Sequence, residues 1–499
     1  MRPESGRGAD AVVIGLLAAI LSALGAGRPS LWVDEAATLS AVTRPLPELW
    51  ALLGQVDLVH GVYYLSMHAW FAVFPVTEFW LRVPSALMVG VAAAGVVMLG
   101  GRLSGRAVGV AAGVVFAVLP RTTAAGIDGR SYALTMACAV WVTVLFLAAL
   151  RRGRWWWAGY AAVLAFAVVV NVLVVLVITA HAAMLFAAPA NRRTVMAWGR
   201  AGGVAVLAVT PFVLAVIRQR DQVGWIWPVS AVTLGQIFGE QYFPSVYSDP
   251  VRAVGPDQQE FTAEQLAVAT QSWARVAPLI VVLVGITALA VVVLRRDGAD
   301  RPRMLLWGCG IWVVAPTVAL GAYSLIGDPL YQPQYLSFTT PGLALLAGYA
   351  TVVAGGIPPR IAARLALVVV AAAPNYLAQR TDYAKFGFDQ SEVARLLSSE
   401  SRTGECLLVD PDTPPSAVHA LEGARLVHDD GLHDFTVEAT ARERNSLWEA
   451  RGDVAPDNLR DCAAVWLVTE TADMPAPEGF QVVTRWDLHR SHVVKTAPR

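Results

Sequence analysis

RRGRWWWAGYAAVLAFAVVVNVLVVLVITAHAAMLFAAPANRR, residues 151–193, decides how this chain is built. Between Arg151, Arg152 and Arg154 at one end and Arg192 and Arg193 at the other, residues 155–187 are almost wholly apolar. About 20 residues cross a bilayer once, so the block is too long for a single span. Arginines collect on the cytoplasmic side of a membrane, and both ends carry them. The chain must therefore leave that side and return to it. Two helices that meet near Asn171, a polar residue at the turn, satisfy both conditions.

The same alternation runs outward in both directions. Apolar runs at 10–27, 83–101, 107–120 and 132–150 precede the pair. Runs at 201–217, at 276–294, at a segment ending near Gly327, at 335–355 and at 361–376 follow it. With the N-terminus inside, Arg2, Arg7, Arg102, Arg106, Arg200, Arg295, Arg296, Arg301, Arg303, Arg360 and Arg364 all fall on the cytoplasmic side. The predicted fold is a polytopic all-α membrane domain of about eleven spans over residues 1–376. A small extracytoplasmic α/β domain over 377–499 follows. The composition agrees: 56% of the 499 residues are hydrophobic and 15% charged, against about 25% charged in soluble proteins. With a net charge of zero, nothing points to nucleic acid. The first apolar run lacks an Ala-x-Ala cleavage signal and is read as a retained helix.

This topology puts residues 28–82, 121–131, 218–275 and 327–334 outside. Within the first loop, 61–74 is apolar, but it is short and interrupted by His68 and followed by Pro75. Counting it as a span would invert every later loop. Residues 44–75 are therefore expected as helices lying along the outer face, with Trp50, Trp70 and Phe71 at the interface.

The outer loops hold the chemistry. Asp34 and Glu35 stand side by side after the first span, where charge is expensive unless it has a task. The same side carries Asp57, His60, Tyr63, Tyr64 and His68, and, in the 121–131 loop and just after it, Asp128, Arg130 and Tyr132. Carboxylates serve as general bases or metal ligands, and Arg130 offers a planar fork suited to phosphate. Each also has a plainer reading. Asp34 fits as the N-cap of a helix starting at Ala36. His60 and His68 fit as packed or headgroup-facing residues. Arg130 fits equally as a residue reaching to headgroups.

Four motifs occur in order: Trp32-Val33-Asp34-Glu35-Ala36, Val59-His60-Gly61-Val62-Tyr63-Tyr64, Phe79-Trp80-Leu81-Arg82-Val83-Pro84, and Asp128-Gly129-Arg130-Ser131-Tyr132. Together they resemble the GT-C superfamily of membrane glycosyltransferases. The nearest likeness is to actinobacterial mannosyltransferase-like members. A more remote one is to protein O-mannosyltransferases and lipid A aminoarabinose transferases. The likeness continues weakly at Gln334-Tyr335. It implies an inverting transfer of a sugar, mannose first, from a polyprenyl-phosphate donor to a glycolipid, polysaccharide or protein acceptor outside the plasma membrane. Asp34 would be the base, with Glu35 orienting it or binding acceptor. His60, Tyr63, Asp128, Arg130, Tyr132, Gln334, Tyr335 and Lys385 would line the substrate site. The likeness implies no particular cofactor, and a divalent cation is compatible with the carboxylates. Two departures stand out. Gly61-Val62 replaces a Pro-Pro or Pro-Leu common in relatives, and Gln334 replaces a common Arg, which shifts phosphate recognition towards Arg130 or Lys385. A lipid-linked sugar flippase and a non-catalytic sugar-lipid-binding subunit remain as alternatives.

In the last 123 residues, 406–410 and 463–468 read as buried strands of a parallel sheet, since continuous apolar runs suit strands covered on both faces. A helix is expected at 391–399, and further strands at 481–485 and 489–495. Cys406 and Cys462 would each begin a strand. Neighbouring strands entering from one edge bring such residues within disulfide reach, and an outer location permits the bond.

Overall fold

The structure is a computed structural model that describes residues 5–188, 190–249, 262–296, 301–454, 456–471 and 474–499. Arg2 and residues 250–261 of the expected loop 218–275 lie outside these. The helices in order are α1 Ser5–Ala23, α2 Val33–Val42, α3 Leu46–Leu53, α4 Gly61–Phe71, α5 Glu78–Ser104, α6 Arg106–Val118, α7 Pro120–Ala125, α8 Tyr132–Arg152 and α9 Arg154–Val170. Then come α10 Val177–Ala187, α11 Arg192–Arg218, α12 Ala231–Gly235, α13 Ala263–Arg296, α14 Arg303–Ile326, α15 Thr340–Gly355, α16 Pro358–Ala378, α17 Gln390–Glu400 and α18 Pro415–Val427. Among the described residues, seven helices are long and apolar enough to cross a membrane, and four shorter apolar helices accompany them. The chain is a multi-pass membrane protein with a small C-terminal sheet domain.

Local chemistry sets where helices start. Asn171 is extended, and its side chain accepts from Leu173 N at 2.9 Å. It thereby ends α9 and caps the 3-10 turn Val172–Leu176 that leads into α10, as the polar residue in that apolar block suggested. α5 begins a turn before the expected 83 because Thr77 caps it, accepting from Trp80 N at 3.2 Å. That extra turn brings Arg82 into the helix. α11 likewise starts at Arg192, capped by Asn191.

Apolar side chains gain little by leaving lipid for one another, so membrane helices associate through close backbone packing at small residues. A Cβ on Gly348 of α15 would stand 2.5 Å from Ala112 N of α6. One on Gly109 of α6 would stand 2.4 Å from Val97 O of α5, and one on Gly90 of α5 2.6 Å from Gly15 O of α1.

The C-terminal part carries β1 Cys406–Val409, β2 His433–Asp434, β3 Val437–Ala439, β4 Ala450–Arg451, β5 Val465–Thr469, β6 Phe480–Asp487 and β7 His492–Pro498. The main sheet runs β2-β1-β5-β7-β6, with β1 parallel to β2 and β5, and β7 antiparallel to β5 and β6. The expected parallel core is there, but the last two strands form an antiparallel hairpin and make the sheet mixed. Cys406 and Cys462 are bonded, with Cα atoms 5.8 Å apart. Cys462 does not begin a strand. β5 starts at Val465, which lies opposite Cys406, and the turn before it carries Cys462 to its partner.

The short helices 44–75 do more than lie on a surface. Leu49, Leu52 and Leu53 of α3 and Tyr63, Tyr64 and Met67 of α4 share one core with Val393, Leu397, Leu421 and Trp466 of the C-terminal part. Trp50 is exposed, but Trp70 donates to Trp80 O at 2.9 Å and stacks on Phe74. These helices are the seam between bundle and sheet domain.

Candidate active site

The site forms where α2, α4, the start of α5, the 126–131 turn and the segment after α16 converge at one end of the bundle. α2 begins at Val33, with extended Trp32 as N-cap and no side-chain cap. Asp34 therefore does not cap a helix at Ala36. Asp34 and Glu35 sit in the first turn, where the helix dipole favours negative charge.

Their surroundings separate them. Glu35 is fully buried. Arg82 grips it bidentately, with Nε to Oε1 and Nη2 to Oε2 both 2.7 Å. Lys385 Nζ stands 2.9 Å from Oε1, and Gly129 N donates to the same atom at 2.9 Å. Burial opposes the Glu35 charge, but Arg82 and Lys385 outweigh it and hold the carboxyl well below the usual range. Arg82 Nη1 also donates to the Ala26 and Pro29 carbonyls at 2.6 and 2.8 Å. Glu35 thus ties the end of α1, α2, α5 and the 126–131 turn together, and its contacts are filled.

Asp34 is open where Glu35 is closed. A quarter of its side-chain surface is accessible, and Arg130 Nε lies 3.9 Å from Oδ2. Tyr132 OH donates to Oδ2 at 3.5 Å. Burial raises its pKa above the ordinary aspartate value, and Arg130 only partly offsets this.

Arg130 is oriented by neutral groups. Its Nη1 donates to Tyr64 OH at 3.0 Å, and its Nη2 to His60 Nε2 at 2.9 Å. Tyr64 in turn donates a short hydrogen bond to Asp57. Burial, with Arg130 beside it, pushes His60 down to about 4, so at neutral pH it accepts from Arg130 as an uncharged ring. Among the described residues, Nε of Arg130 is buried with no hydrogen-bond partner. Asp128 contacts other groups than Arg130. Its Oδ1 accepts from Trp32 Nε1 at 3.1 Å and from Lys385 at 3.4 Å.

Tyr63 is buried on α4 and, like Tyr335, lies within electrostatic reach of Arg130. Gln334 accepts from Ser337 Oγ through its carbonyl at 2.6 Å. His68 is apart from the site, with Nδ1 3.0 Å from Val42 O. Among the described residues, no group of three or more His, Cys, Asp or Glu is placed to hold a metal ion. Sequence reading missed the role of Arg82. The signal was there: an arginine inside an apolar helix demands a buried partner, and Glu35 was the acid available.

Comparison with known proteins follows this geometry. Residues 62–215 match the family model of dolichyl-phosphate-mannose-protein mannosyltransferases, a stretch that starts after α2. ArnT from Cupriavidus metallidurans has a similar fold. Its structure bound to undecaprenyl phosphate gives a TM-score of 0.53 at 14% identity over 97% of each chain, and its apo structure gives 0.52 at 14% identity and the same coverage. The apo oligosaccharyltransferase from Archaeoglobus fulgidus gives 0.50 at 12% identity, over 92% of this chain and 69% of that one. No curated protein matches the sequence. The chain is thus similar over residues 62–215 to the dolichyl-phosphate-mannose-protein mannosyltransferase family, and it shares the fold of ArnT over nearly its whole length.

Proposed function

We propose that this protein transfers a sugar from a polyprenyl-phosphate-linked donor to an acceptor hydroxyl on the outer side of the plasma membrane, with Asp34 as general base. The observation that carries this is the contrast within the acidic pair. Asp34 is partly accessible beside a guanidinium, with its pKa raised by burial, whereas Glu35 is closed off by Arg82, Lys385 and Gly129 N.

The acceptor oxygen attacks the anomeric carbon while the bond from that carbon to the donor phosphate breaks. The electron pair leaves with the polyprenyl phosphate, and the acceptor proton passes to Asp34 Oδ2. One displacement inverts the anomeric centre. Arg130, oriented by Tyr64 and His60, stabilises the charge growing on the leaving phosphate. Glu35 acts as a positioning residue by fixing Arg82 and Lys385. Tyr63, Tyr132 and Tyr335 provide faces for sugar or prenyl contact. Mannose is the first sugar to test, with arabinofuranose and galactofuranose next. The acceptor is a cell-envelope glycolipid, polysaccharide or protein.

Asp34→Asn keeps shape and hydrogen bonding but removes basicity. Transfer in a detergent-solubilised assay should fall by about 10²- to 10⁴-fold, with binding of polyprenyl phosphate retained. Near-normal turnover would remove Asp34 from the role. The absence of any transfer by the unmutated protein would favour a lipid-sugar transporter or binding subunit instead.

A further inference from the structure

Four cations stand around this site, and three have carboxylates within ion-pair distance. Arg82 holds Glu35, Lys385 bridges Glu35 and Asp128, and Arg130 faces Asp34. Arg121, on α7, differs. It is only 8% exposed. Its Nε donates to Gln241 O at 2.9 Å, and its Nη2 donates to Glu240 O. Both acceptors are neutral carbonyls. Among the described residues it makes no ion pair, and its Nη1 donates to nothing. The carboxylates that act on it, Glu240 and Asp128, do so from beyond ion-pair distance. Glu240 Oε1 accepts from Ser245 Oγ and Tyr247 OH, and Asp128 Oδ1 from Trp32 and Lys385.

An arginine stays protonated in a protein, and a buried charge without a counter-ion is costly. Such a residue is suited to receive an anion. The position fits. α7 leads directly into the 126–131 turn that carries Arg130, and Gln241, whose carbonyl accepts from Arg121, accepts through Oε1 from Tyr331 OH at 2.9 Å, three residues before Gln334. Among the described residues, two other buried arginines lack a carboxylate partner but are placed differently. Arg380 covers the Tyr376 ring and donates to carbonyls of Leu21, Ser22 and Leu24. Arg44 lies on the loop just after α2, donating to Ser40 and Ser446 carbonyls.

We infer that Arg121 binds a phosphate oxygen of the lipid carrier, as a second guanidinium beside Arg130, a role that depends on the glycosyl-transfer reading above. Arg130 lies next to Asp34 and meets the bond that breaks. Arg121 is free to keep hold of the phosphate once the sugar has gone, so its contribution falls on carrier affinity.

The test uses the full-length protein in detergent, with undecaprenyl phosphate as probe and undecaprenol as its uncharged control. The unmutated protein should bind the phosphate at least about 10-fold more tightly than the alcohol. Arg121→Gln should weaken undecaprenyl phosphate by about 10- to 100-fold, the range of a lost charge-assisted hydrogen bond, and leave undecaprenol binding unchanged. Arg121→Lys, which keeps the charge and loses the fork, should fall between the two. Undiminished affinity in Arg121→Gln would overturn the assignment. So would equal loss of phosphate and alcohol binding, which marks a purely structural role through the 240–241 carbonyls. Inorganic phosphate and phosphatidylglycerol are tested as competitors, and either one competing as well as the carrier would overturn the choice of a carrier phosphate. If the unmutated protein itself does not distinguish phosphate from alcohol, the glycosyl-transfer reading fails as a whole, independently of Arg121.

Discussion

Asp34 and Glu35 are adjacent, of like charge and nearly alike in size, yet their environments are opposite, one partly open and one closed by Arg82, Lys385 and Gly129 N. The raised pKa of Asp34 has a visible consequence. A base works only when ionised, so the acid limb of kcat/KM should lie above the ordinary aspartate value of about 3.9, with activity rising as pH rises through it. Arg130→Gln removes the charge that opposes the burial effect and should move that limb to still higher pH. Rate profiles of the two proteins decide this, and a limb at or below pH 3.9 would count against Asp34. Glu35 predicts a different phenotype. Glu35→Gln leaves Arg82 and Lys385 without their common counter-charge, and breaking a buried pair costs about 3–5 kcal/mol. Thermal unfolding should show a large loss for Glu35→Gln and little for Asp34→Asn; equal midpoints would refute this division. The adjacency of the two acids, and their place at the mouth of the bundle, was legible in the sequence. Which one is free was not, because Arg82 is 47 residues from Glu35 and Lys385 is 350.

Helix α2 carries both acids, and its position depends on α18, contributed by the far end of the chain. A Cβ on Gly423 would stand 2.4 Å from Ala36 Cβ and 2.6 Å from Ala36 Cα. The two helices touch at that glycine, one residue from Glu35. Gly423→Val should push them apart. Displacements of about 1 Å in a catalytic group can cost about 10²-fold in rate, so transfer should drop by roughly 10- to 100-fold although no reacting group is altered. Gly202→Ala on α11, where nothing lies within 4 Å, serves as the control and should leave the rate unchanged. Unimpaired turnover of Gly423→Val would show that α2 does not need this contact. Element type was largely readable from periodicity and caps: Asn171 did split its apolar block, and α17 and the strands at 406 and 480 fall close to their expected places. The antiparallel turn of β6 and β7 was not readable, since an apolar strand pattern does not specify the direction of its neighbour.

At the scale of the molecule, the arginine pattern and the disulfide concern the same question of sidedness. If the C-terminal domain lies outside, the bond between Cys406 and Cys462 persists in an oxidising compartment, whereas Cys138 and Cys309, both buried in helices, stay free. Non-reducing peptide mapping of protein taken from native membranes should find 406 joined to 462. A membrane-impermeant thiol reagent should label an engineered Ser399→Cys in intact cells. Free thiols at 406 and 462, or protection of position 399 until the cells are opened, would invert the topology and with it the outer location of the site.

The sequence alone determined what depends on short-range chemistry: the count and polarity of apolar runs, the residues that start and stop helices, and the cluster of acids and Arg130 in loops expected on one side. Hydrophobic periodicity and charge bias act over a few turns, so they can be read along the chain. Only the tertiary structure decided which carboxylate is open, that Cys462 reaches Cys406 from a turn, and that Arg121 is anchored by the carbonyls of residues 240 and 241. Those outcomes come from contacts between residues far apart in sequence, where burial and the nearest opposite charge set each group's state, and neither quantity exists until the chain has folded.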